Sequence, residues 1–187
     1  MANIVIFGPP GSGKGTQSQR INEKYKLHHI STGEMLRDRI ERGTELGKLA
    51  DSYISKGNLV PDDVIISMLE KEMDRPEAAE GVILDGFPRT VPQAMALGEM
   101  LKKRGSAIDH VIGLEVPDEM VTQRLLNRGK ESGRSDDNSD AIKQRLDVYH
   151  NTTIPVRDYY TKQGLYRPID GSKEIEEIFR QIKDLMD

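Results

Sequence analysis

The chain alternates short apolar runs with longer segments in which apolar residues recur at helical spacing. The runs of strand length are residues 4–7, 82–84, 111–116 and, more weakly, 166–169. Residues 14–25 form the first of the helical segments between them. This alternation predicts an α/β fold, in which a doubly wound, mostly parallel sheet is covered by helices on both faces. Ligands of such sheets bind outside the carboxyl ends of the strands.

Two polar segments interrupt the alternation. Residues 31–60 are polar and helical in period, open with a capping box at Ser31, and end just before a proline. They predict a helical insert on the sheet. Residues 127–137 are too polar and glycine-rich to contribute to a core, and predict a mobile loop. Pro155 falls inside a helical pattern, so we expect the helix to be kinked or interrupted there.

Length, charge and composition narrow the class of protein. A chain of 187 residues favours one domain, and a net charge of −4 argues against bulk nucleic-acid binding. The absence of cysteine excludes disulfides, iron–sulfur clusters and thiolate zinc sites. The first residues lack the basic region of a signal peptide, and no apolar run is long enough to span a membrane. We therefore expect a cytoplasmic protein.

A glycine-rich segment directly follows the first apolar run. Its spacing from Gly8 to Lys14 matches the Walker A frame, but Gly15 stands where that frame has Ser or Thr. The alternative interpretation, a structural turn, is weaker because a strand precedes the segment and a helix follows it. Backbone N–H groups here favour phosphate oxygens. The residues predicted to bind phosphate are Gly11, Ser12, Gly13, Lys14, Gly15 and Thr16.

A second candidate is the acid that ends the strand at residues 82–84. Asp85 occupies the position where P-loop enzymes place the carboxylate that organises Mg²⁺, and the Thr16 hydroxyl is a further candidate. Asp85 alone is equally consistent with a simple turn. Its predicted position in the same sheet as the phosphate loop favours the metal-organising role.

Arginines are the third feature. Each is typical of a solvated surface when taken singly, but together they suggest two clusters that bind phosphates bidentately. Such a site, with many cations and no covalent nucleophile, suits phosphoryl transfer. The four histidines show no metal-binding spacing and are interpreted as structural, and no G-x-S-x-G motif supports a hydrolase. The arginines concerned are Arg37, Arg89, Arg124, Arg128, Arg134 and Arg145.

These motifs together resemble the adenylate kinases of the nucleoside monophosphate kinase family, over essentially the whole chain. The phosphate loop with Gly-Thr after the lysine, the run from Ser31 to Arg37, and the run from Asp85 to Arg89 are similar to the family's motifs. Glu34 stands where the family usually has Asp. The resemblance implies a P-loop NTPase-type sheet with three parts: a core of residues 1–30, 61–126 and 138–187, a nucleoside monophosphate (NMP) binding insert at 31–60, and a short lid at 127–137.

The resemblance also implies a role for each motif. ATP would be held by the phosphate loop, Arg128 and the backbone at Lys173, with Mg²⁺ bound through phosphates and water near Thr16 and Asp85, and without structural zinc. The catalytic set would be Lys14, Asp85, Arg89, Arg128, Arg134 and Arg145. The AMP site would comprise Thr32, Arg37, Asn58, Leu59, Val60, Gly86, Phe87, Pro88, Arg89, Gln93, Arg134 and Arg145.

The implied reaction is reversible transfer of the ATP γ-phosphoryl group to AMP, giving two ADP, by a monomer that binds neither nucleic acid nor membrane. A UMP/CMP kinase is the nearest alternative, since that branch shares the phosphate loop, the lid and the arginines. Thr32 and Thr90 favour the adenylate branch, because the pyrimidine branch typically has Ala and Asn there. A non-catalytic ATP sensor is a second alternative, and a simple ATPase a weaker one, because either would leave the second arginine set without a purpose.

Overall fold

A parallel β-sheet runs through the centre of the molecule. In the computed structural model, which describes residues 2–187, its strands are β1 (Ala2–Phe7), β2 (His28–Ser31), β3 (Gly81–Asp85), β4 (His110–Glu115) and β5 (Tyr166–Asp170). Their order across the sheet is β2-β3-β1-β4-β5, and every neighbouring pair is parallel. β1 therefore lies in the middle, and its carboxyl end opens directly into the glycine-rich segment.

Helices connect the strands and cover both faces of the sheet. Side chains alternate between the two faces of a strand, so Val5 and Phe7 of β1 pack into one apolar core while Ile4 and Ile6 pack into the other. Burial on both faces explains why β1 reads as a continuous apolar run. The helices are α1 (Lys14–Tyr25), α2 (Thr32–Glu41), α3 (Glu45–Ile54), α4 (Asp62–Met73), α5 (Val91–Lys103), α6 (Asp118–Ser132), α7 (Ser139–Val148), α8 (Ile154–Lys162) and α9 (Ile175–Met186).

The predicted α/β class with a doubly wound parallel sheet is confirmed, and all four predicted strands are present. The edge strand β2, at His28–Ser31, is not among the predicted strands. This strand has four residues, and its first two are histidines that are only partly buried. An edge strand that short carries too few apolar positions to produce a recognisable pattern.

The two polar segments fold differently from each other. Residues 31–60 contain α2 and α3, as the helical period predicts, and the Ser31 hydroxyl caps α2 by accepting from the Glu34 N–H at 3.3 Å. The predicted loop at 127–137 is wrong for its first six residues, which continue α6 to Ser132. Its glycine at 129 sits inside the helix, and the helix ends only at Gly133, which adopts the left-handed conformation with φ 63°.

The prediction for Pro155 is confirmed. A π-helical turn at Tyr149–Thr153 separates α7 from α8, and Pro155 lies in the first turn of α8. Proline is tolerated there because the first N–H groups of a helix have no partner within it. Among the described helices, none combines the length and the apolar character needed to cross a membrane.

Candidate active site

The glycine-rich segment forms a tight turn between β1 and α1. Gly13 caps α1 in the left-handed conformation, with φ 93°, and Gly11 has φ 77°. A Cβ atom at Gly11 would lie 2.9 Å from Leu125 Cγ, so glycine is required there both by conformation and by space. The turn directs the N-terminus of α1 toward the carboxyl edge of the sheet, where anions are favoured.

Lys14 folds back over this turn. Its Nζ donates to the carbonyl oxygens of Gly8 at 3.1 Å and Pro9 at 2.9 Å. The pKa of Lys14 is lowered to about 7, chiefly because the ammonium group is removed from water. The charge of Asp85 opposes this shift, whereas the charges of nearby arginines, Arg89 first, add to it. A cation held in this state gains strongly from an anionic ligand.

Asp85 ends β3 beside the phosphate loop. Its side chain is 11% exposed, and Oδ2 lies 3.4 Å from Nε2 of His29 on β2. Burial acts to raise the pKa of Asp85, but the hydrogen bond with His29 and the charge of Lys14 hold it below its ordinary value. A Cβ atom at Gly15 would lie 3.7 Å from the same Oδ2, so the carboxylate faces the first turn of α1.

This carboxylate fits a magnesium ion that is bound mainly through nucleotide phosphates. It stays ionised, and oxygen ligands are those that Mg²⁺ prefers. Within residues 2–187, no three His, Asp or Glu side chains are grouped closely enough to form an all-protein metal site. The donor set therefore suits a shared ion, brought by the nucleotide, more than a resident one.

The segment after Asp85 turns back across the cleft and positions Arg89. The carbonyl oxygen of Gly86 accepts both from the Thr32 hydroxyl at 2.9 Å and from Arg89 Nε at 2.8 Å. Removal from water and the charge of Arg145 lower the pKa of Arg89 to about 10. The guanidinium is thus fixed by a backbone carbonyl among other cations, with its remaining N–H groups available for an anion.

Gln93, on the first turn of α5, lies behind Arg89. Its Oε1 accepts from the Arg89 backbone N–H at 2.8 Å, and its Nε2 donates to Asp62 Oδ1 at 2.7 Å. The Thr90 hydroxyl donates to the same Asp62 oxygen at 3.0 Å and accepts from the Gln93 backbone N–H at 3.2 Å. The amide of Gln93 is consequently held from both sides.

Two arginines of the cleft, Arg128 on α6 and Arg145 on α7, are oriented by acids. Arg128 donates to both oxygens of Asp137, with Nε to Oδ2 at 2.6 Å and Nη2 to Oδ1 at 2.8 Å. Arg145 Nη1 donates to Asp137 Oδ1 at 2.9 Å and lies 3.4 Å from Asp136 Oδ2. Burial acts to raise the pKa of Asp137, but its bond with Arg128 holds it below the ordinary value. Bidentate pairing fixes the plane of Arg128 before any ligand arrives.

The remaining arginines lie on the insert and at the lid. Arg37 projects from α2, and its pKa is lowered by removal from water and then by the charge of Arg134. An anion bound between two guanidinium groups that repel each other would be stabilised by both. Arg124 has another position: its Nη1 donates to Gly11 O at 3.4 Å and its Nη2 to Gly171 O at 3.3 Å. It ties the phosphate loop to the segment after β5.

One continuous cleft collects most of the predicted site residues. Its volume is about 380 Å³. The predicted residues that line it are Gly11, Gly13, Lys14, Gly15, Thr16, Arg37, Asn58, Leu59, Asp85, Gly86, Phe87, Pro88, Arg89, Arg128, Arg134 and Arg145.

Six predicted residues are outside the lining of the cleft, among them Arg124, which donates to backbone carbonyls instead. Ser12, Thr32, Val60 and Gln93 are buried, and the bonds described above join Thr32 to Gly86 and Gln93 to Arg89, two residues of the lining. Lys173 is exposed, and its Nζ donates to Glu177 at 2.8 Å. Only its backbone was predicted to take part.

The insert and the lid side of the cleft touch each other. Gly57, with φ 81°, packs so closely on α7 that a Cβ atom there would lie 2.5 Å from the Ala141 carbonyl oxygen. Gln144 Nε2 donates to Asn58 Oδ1 at 3.0 Å, and Ser135 Oγ donates to Asp51 Oδ1 at 3.5 Å. The cleft is therefore bridged across its mouth.

Sequence reasoning missed three residues at this site. His29 contacts Asp85 because β2 pairs with β3, and the missed strand concealed that pairing. Asp62 orients Gln93 across the start of two helices, a long-range contact with no local signal. Tyr149 lines the cleft from the π-helical turn, a type of distortion that is frequent at functional sites.

Comparison with known proteins gives one consistent result. The family model described as adenylate kinase matches residues 6–165. An adenylate kinase of Parabacteroides distasonis is 55% identical over 184 residues, covering 98% of this chain and 97% of that protein. An adenylate kinase of Bacteroides fragilis is 53% identical over 187 residues, covering 100% of this chain and 99% of that protein. An adenylate kinase of Stenotrophomonas maltophilia is 48% identical over 179 residues, covering 96% of each chain.

Proposed function

The chain belongs to the adenylate kinase family, and from that premise we propose that its cleft carries out reversible transfer of the ATP γ-phosphoryl group to AMP, giving two ADP. The chain is a phosphotransferase, with adenine nucleotides as its substrates. A role in maintaining the balance of adenine nucleotides and in their salvage follows from this reaction.

One observation supports the proposal above all. Two groups of cations that suit phosphate binding line a single cleft: Lys14 with the phosphate loop, and Arg37 with Arg89. Arg134 and Arg145 line the same cleft at the lid side. A simple ATPase needs only the first set, whereas transfer between two nucleotides needs both.

On the donor side, the phosphate loop and Lys14 hold the ATP phosphates. Backbone N–H groups of residues 11–16 and the N-terminus of α1 bind the oxygens, and Lys14 moves from its carbonyl partners to the outer phosphates. Arg128 contacts the donor from the lid, and the backbone at Lys173 borders the base. Asp85 and Thr16 would help to hold a bound Mg²⁺, which would supply positive charge to neutralise the phosphates.

On the acceptor side, Arg37 and Arg89 hold the AMP phosphate. Arg89 is already fixed by the Gly86 carbonyl, so little side-chain entropy is lost on binding. The base lies among Thr32, the backbone of residues 58–60, the segment 86–89 and Gln93. Transfer requires the acceptor phosphate oxygen to lie in line with the γ-phosphoryl group.

The transfer step depends on charge and on the exclusion of water. The transferring group spreads negative charge over its oxygens, and Arg134 and Arg145 neutralise it from the lid side. Contacts between the insert and α7 close the mouth of the cleft, so water does not compete with AMP as acceptor. No side chain forms a covalent intermediate in this scheme. A cytoplasmic location and a monomeric state stay predictions.

The test is Mg-dependent phosphoryl transfer from ATP to AMP, CMP, UMP and GMP in parallel, with a control that lacks acceptor. We expect selective conversion of AMP to ADP. Preference for CMP or UMP would place the chain with the pyrimidine kinases. Tight ATP binding without transfer to any acceptor would instead favour a nucleotide sensor.

A further inference from the structure

Asp62 stands at the centre of a hydrogen-bonded group behind the acceptor wall of the cleft. It begins α4, directly after the insert, and Oδ1 accepts from both Thr90 Oγ1 and Gln93 Nε2. Gln93 is 2% exposed, and its Oε1 accepts from the backbone N–H of Arg89. Three elements, α4, α5 and the segment carrying Arg89, therefore meet at one side-chain amide.

The chemistry of these partners allows the amide only one orientation. A carboxylate only accepts hydrogen bonds, so the nitrogen of Gln93 must face Asp62. A backbone N–H only donates, so the oxygen of Gln93 must face Arg89. Reversing the amide would place its nitrogen against the Arg89 N–H and its oxygen against a carboxylate. Both contacts would then be repulsive in a buried site.

A fixed amide distinguishes between purines. These bonds leave one N–H and one oxygen lone pair on Gln93, in a fixed order along its outer edge. Adenine carries a donor at its 6-amino group and an acceptor at N1. A 6-oxopurine such as hypoxanthine presents the reverse order, an acceptor at position 6 and a donor at N1–H. An amide that flips freely would serve either base.

We propose that Asp62, supported by Thr90, is a positioning residue that locks the Gln93 amide and thereby sets the preference of the acceptor site for AMP over 6-oxopurine nucleotides. This inference rests on the proposed function. Asp62 acts through Gln93 and is not itself expected to contact the nucleotide. Thr90 contributes because its hydroxyl donates to Asp62 while it caps α5 through the Gln93 N–H.

The test compares Asp62→Asn with Asp63→Asn. Asparagine has the same shape but offers both a donor and an acceptor, so residue 62 no longer dictates the orientation of Gln93 and only the Arg89 N–H still favours the original one. Asp63 is the matched control: it is the next residue in the same first turn, it is exposed, and it has no side-chain hydrogen bond among the described residues. Both variants remove one negative charge near the N-terminus of α4.

Kinetics with ATP are measured for AMP and for inosine monophosphate as acceptors. We expect Asp62→Asn to raise the KM for AMP several-fold, to change kcat far less, and to reduce the ratio of kcat/KM for AMP over inosine monophosphate by about tenfold or more. Asp63→Asn should keep the parental ratio. As a second pair, Thr90→Ser should keep the ratio, and Thr90→Val should reduce it by a smaller factor, because the Asp62 carboxylate then loses one of the two donors that hold it in place.

Each other outcome has a defined meaning. An unchanged ratio in Asp62→Asn, or an equal fall in Asp63→Asn, would overturn the positioning role, because either would show that orientation of Gln93 is not what discriminates. If Asp62→Asn is unstable, the Thr90 pair decides the same question. Failure of the unsubstituted protein to phosphorylate AMP at all would overturn the proposed function instead.

Discussion

At the scale of single residues, the cleft is dominated by cations that are held close together without a full set of anions. Lys14 and Arg89 both have pKa values below their ordinary range, because each is removed from water and faces other cations. Polyphosphate binding relieves this repulsion. Much of the binding energy of the site is therefore expected to come from charges that the protein positions in advance.

The Lys14 shift predicts proton uptake on ATP binding. With a pKa of about 7 in the free protein, Lys14 is mostly neutral at about pH 8, and a bound polyphosphate restores its charge. We expect uptake of up to about one proton per ATP at that pH, falling toward zero below about pH 6, where Lys14 is already charged. Calorimetry in buffers of different ionisation enthalpy measures the number of protons taken up. Release of protons at the higher pH would contradict the lowered pKa of Lys14.

Removal of the Arg89 side chain should impair the use of AMP as acceptor and leave the binding of ATP intact. Arg89→Ala removes a guanidinium fixed by the Gly86 carbonyl, so kcat/KM for AMP should fall by about 10²–10³-fold. Arg89→Lys should recover little of it, because an ammonium lacks the planar fork. Arg104→Ala, on the surface end of α5, serves as the control. Unchanged AMP turnover in Arg89→Ala would show that the acceptor phosphate binds elsewhere.

At the scale of elements, the turn at the end of α3 brings the insert against α7. Gly57 has a left-handed backbone and no room for a Cβ atom beside the Ala141 carbonyl oxygen. Gly43, between α2 and α3, is also left-handed, with φ 66°, but nothing lies within 4 Å of its added Cβ. The two glycines share the conformational requirement and differ only in the contact.

The pair isolates the contribution of that contact. Gly57→Ala and Gly43→Ala should each lose about 1–2 kcal/mol from left-handed strain. Gly57→Ala should lose about 1–3 kcal/mol more through overpacking, and should raise the KM for AMP because the insert no longer seats on α7. Thermal unfolding and steady-state kinetics measure both effects. Equal behaviour of the two variants would mean that closure does not depend on this contact.

At the scale of the whole molecule, ligand binding and folding are coupled through the cleft. The insert, the phosphate loop and the lid all contribute cations to one site, so a polyphosphate that binds only the folded state stabilises every part. At 100 times its Kd, ATP should add about 2.7 kcal/mol, which corresponds to a rise in Tm of about 5–10 °C for a chain of this size. Adenosine at the same concentration is the control, and an equal shift with adenosine would contradict a charge-based origin.

How far the sequence predicts this site depends on the range of the contacts involved. The phosphate loop follows β1 directly, Asp85 ends β3 and Arg89 comes shortly after it, so local pattern and the parallel sheet are enough to bring them to one edge. Asp62 and Gln93 are 31 residues apart and begin different helices, and their bond follows only from how α4 packs beside α5. The helical start of the predicted lid was missed because a polar surface helix and a polar loop have similar composition.

The class of fold, the phosphate loop and the types of charged residue available follow from the amino-acid sequence, because apolar periodicity and glycine placement are local properties of the chain. Which polar side chains meet follows from the packing of the elements: His29 against Asp85, Arg128 and Arg145 on Asp137, and Asp62 on Gln93. The reason is physical. Burial and charge proximity, which set pKa values and fix side-chain orientation, are properties of distances through space and not of positions along the chain.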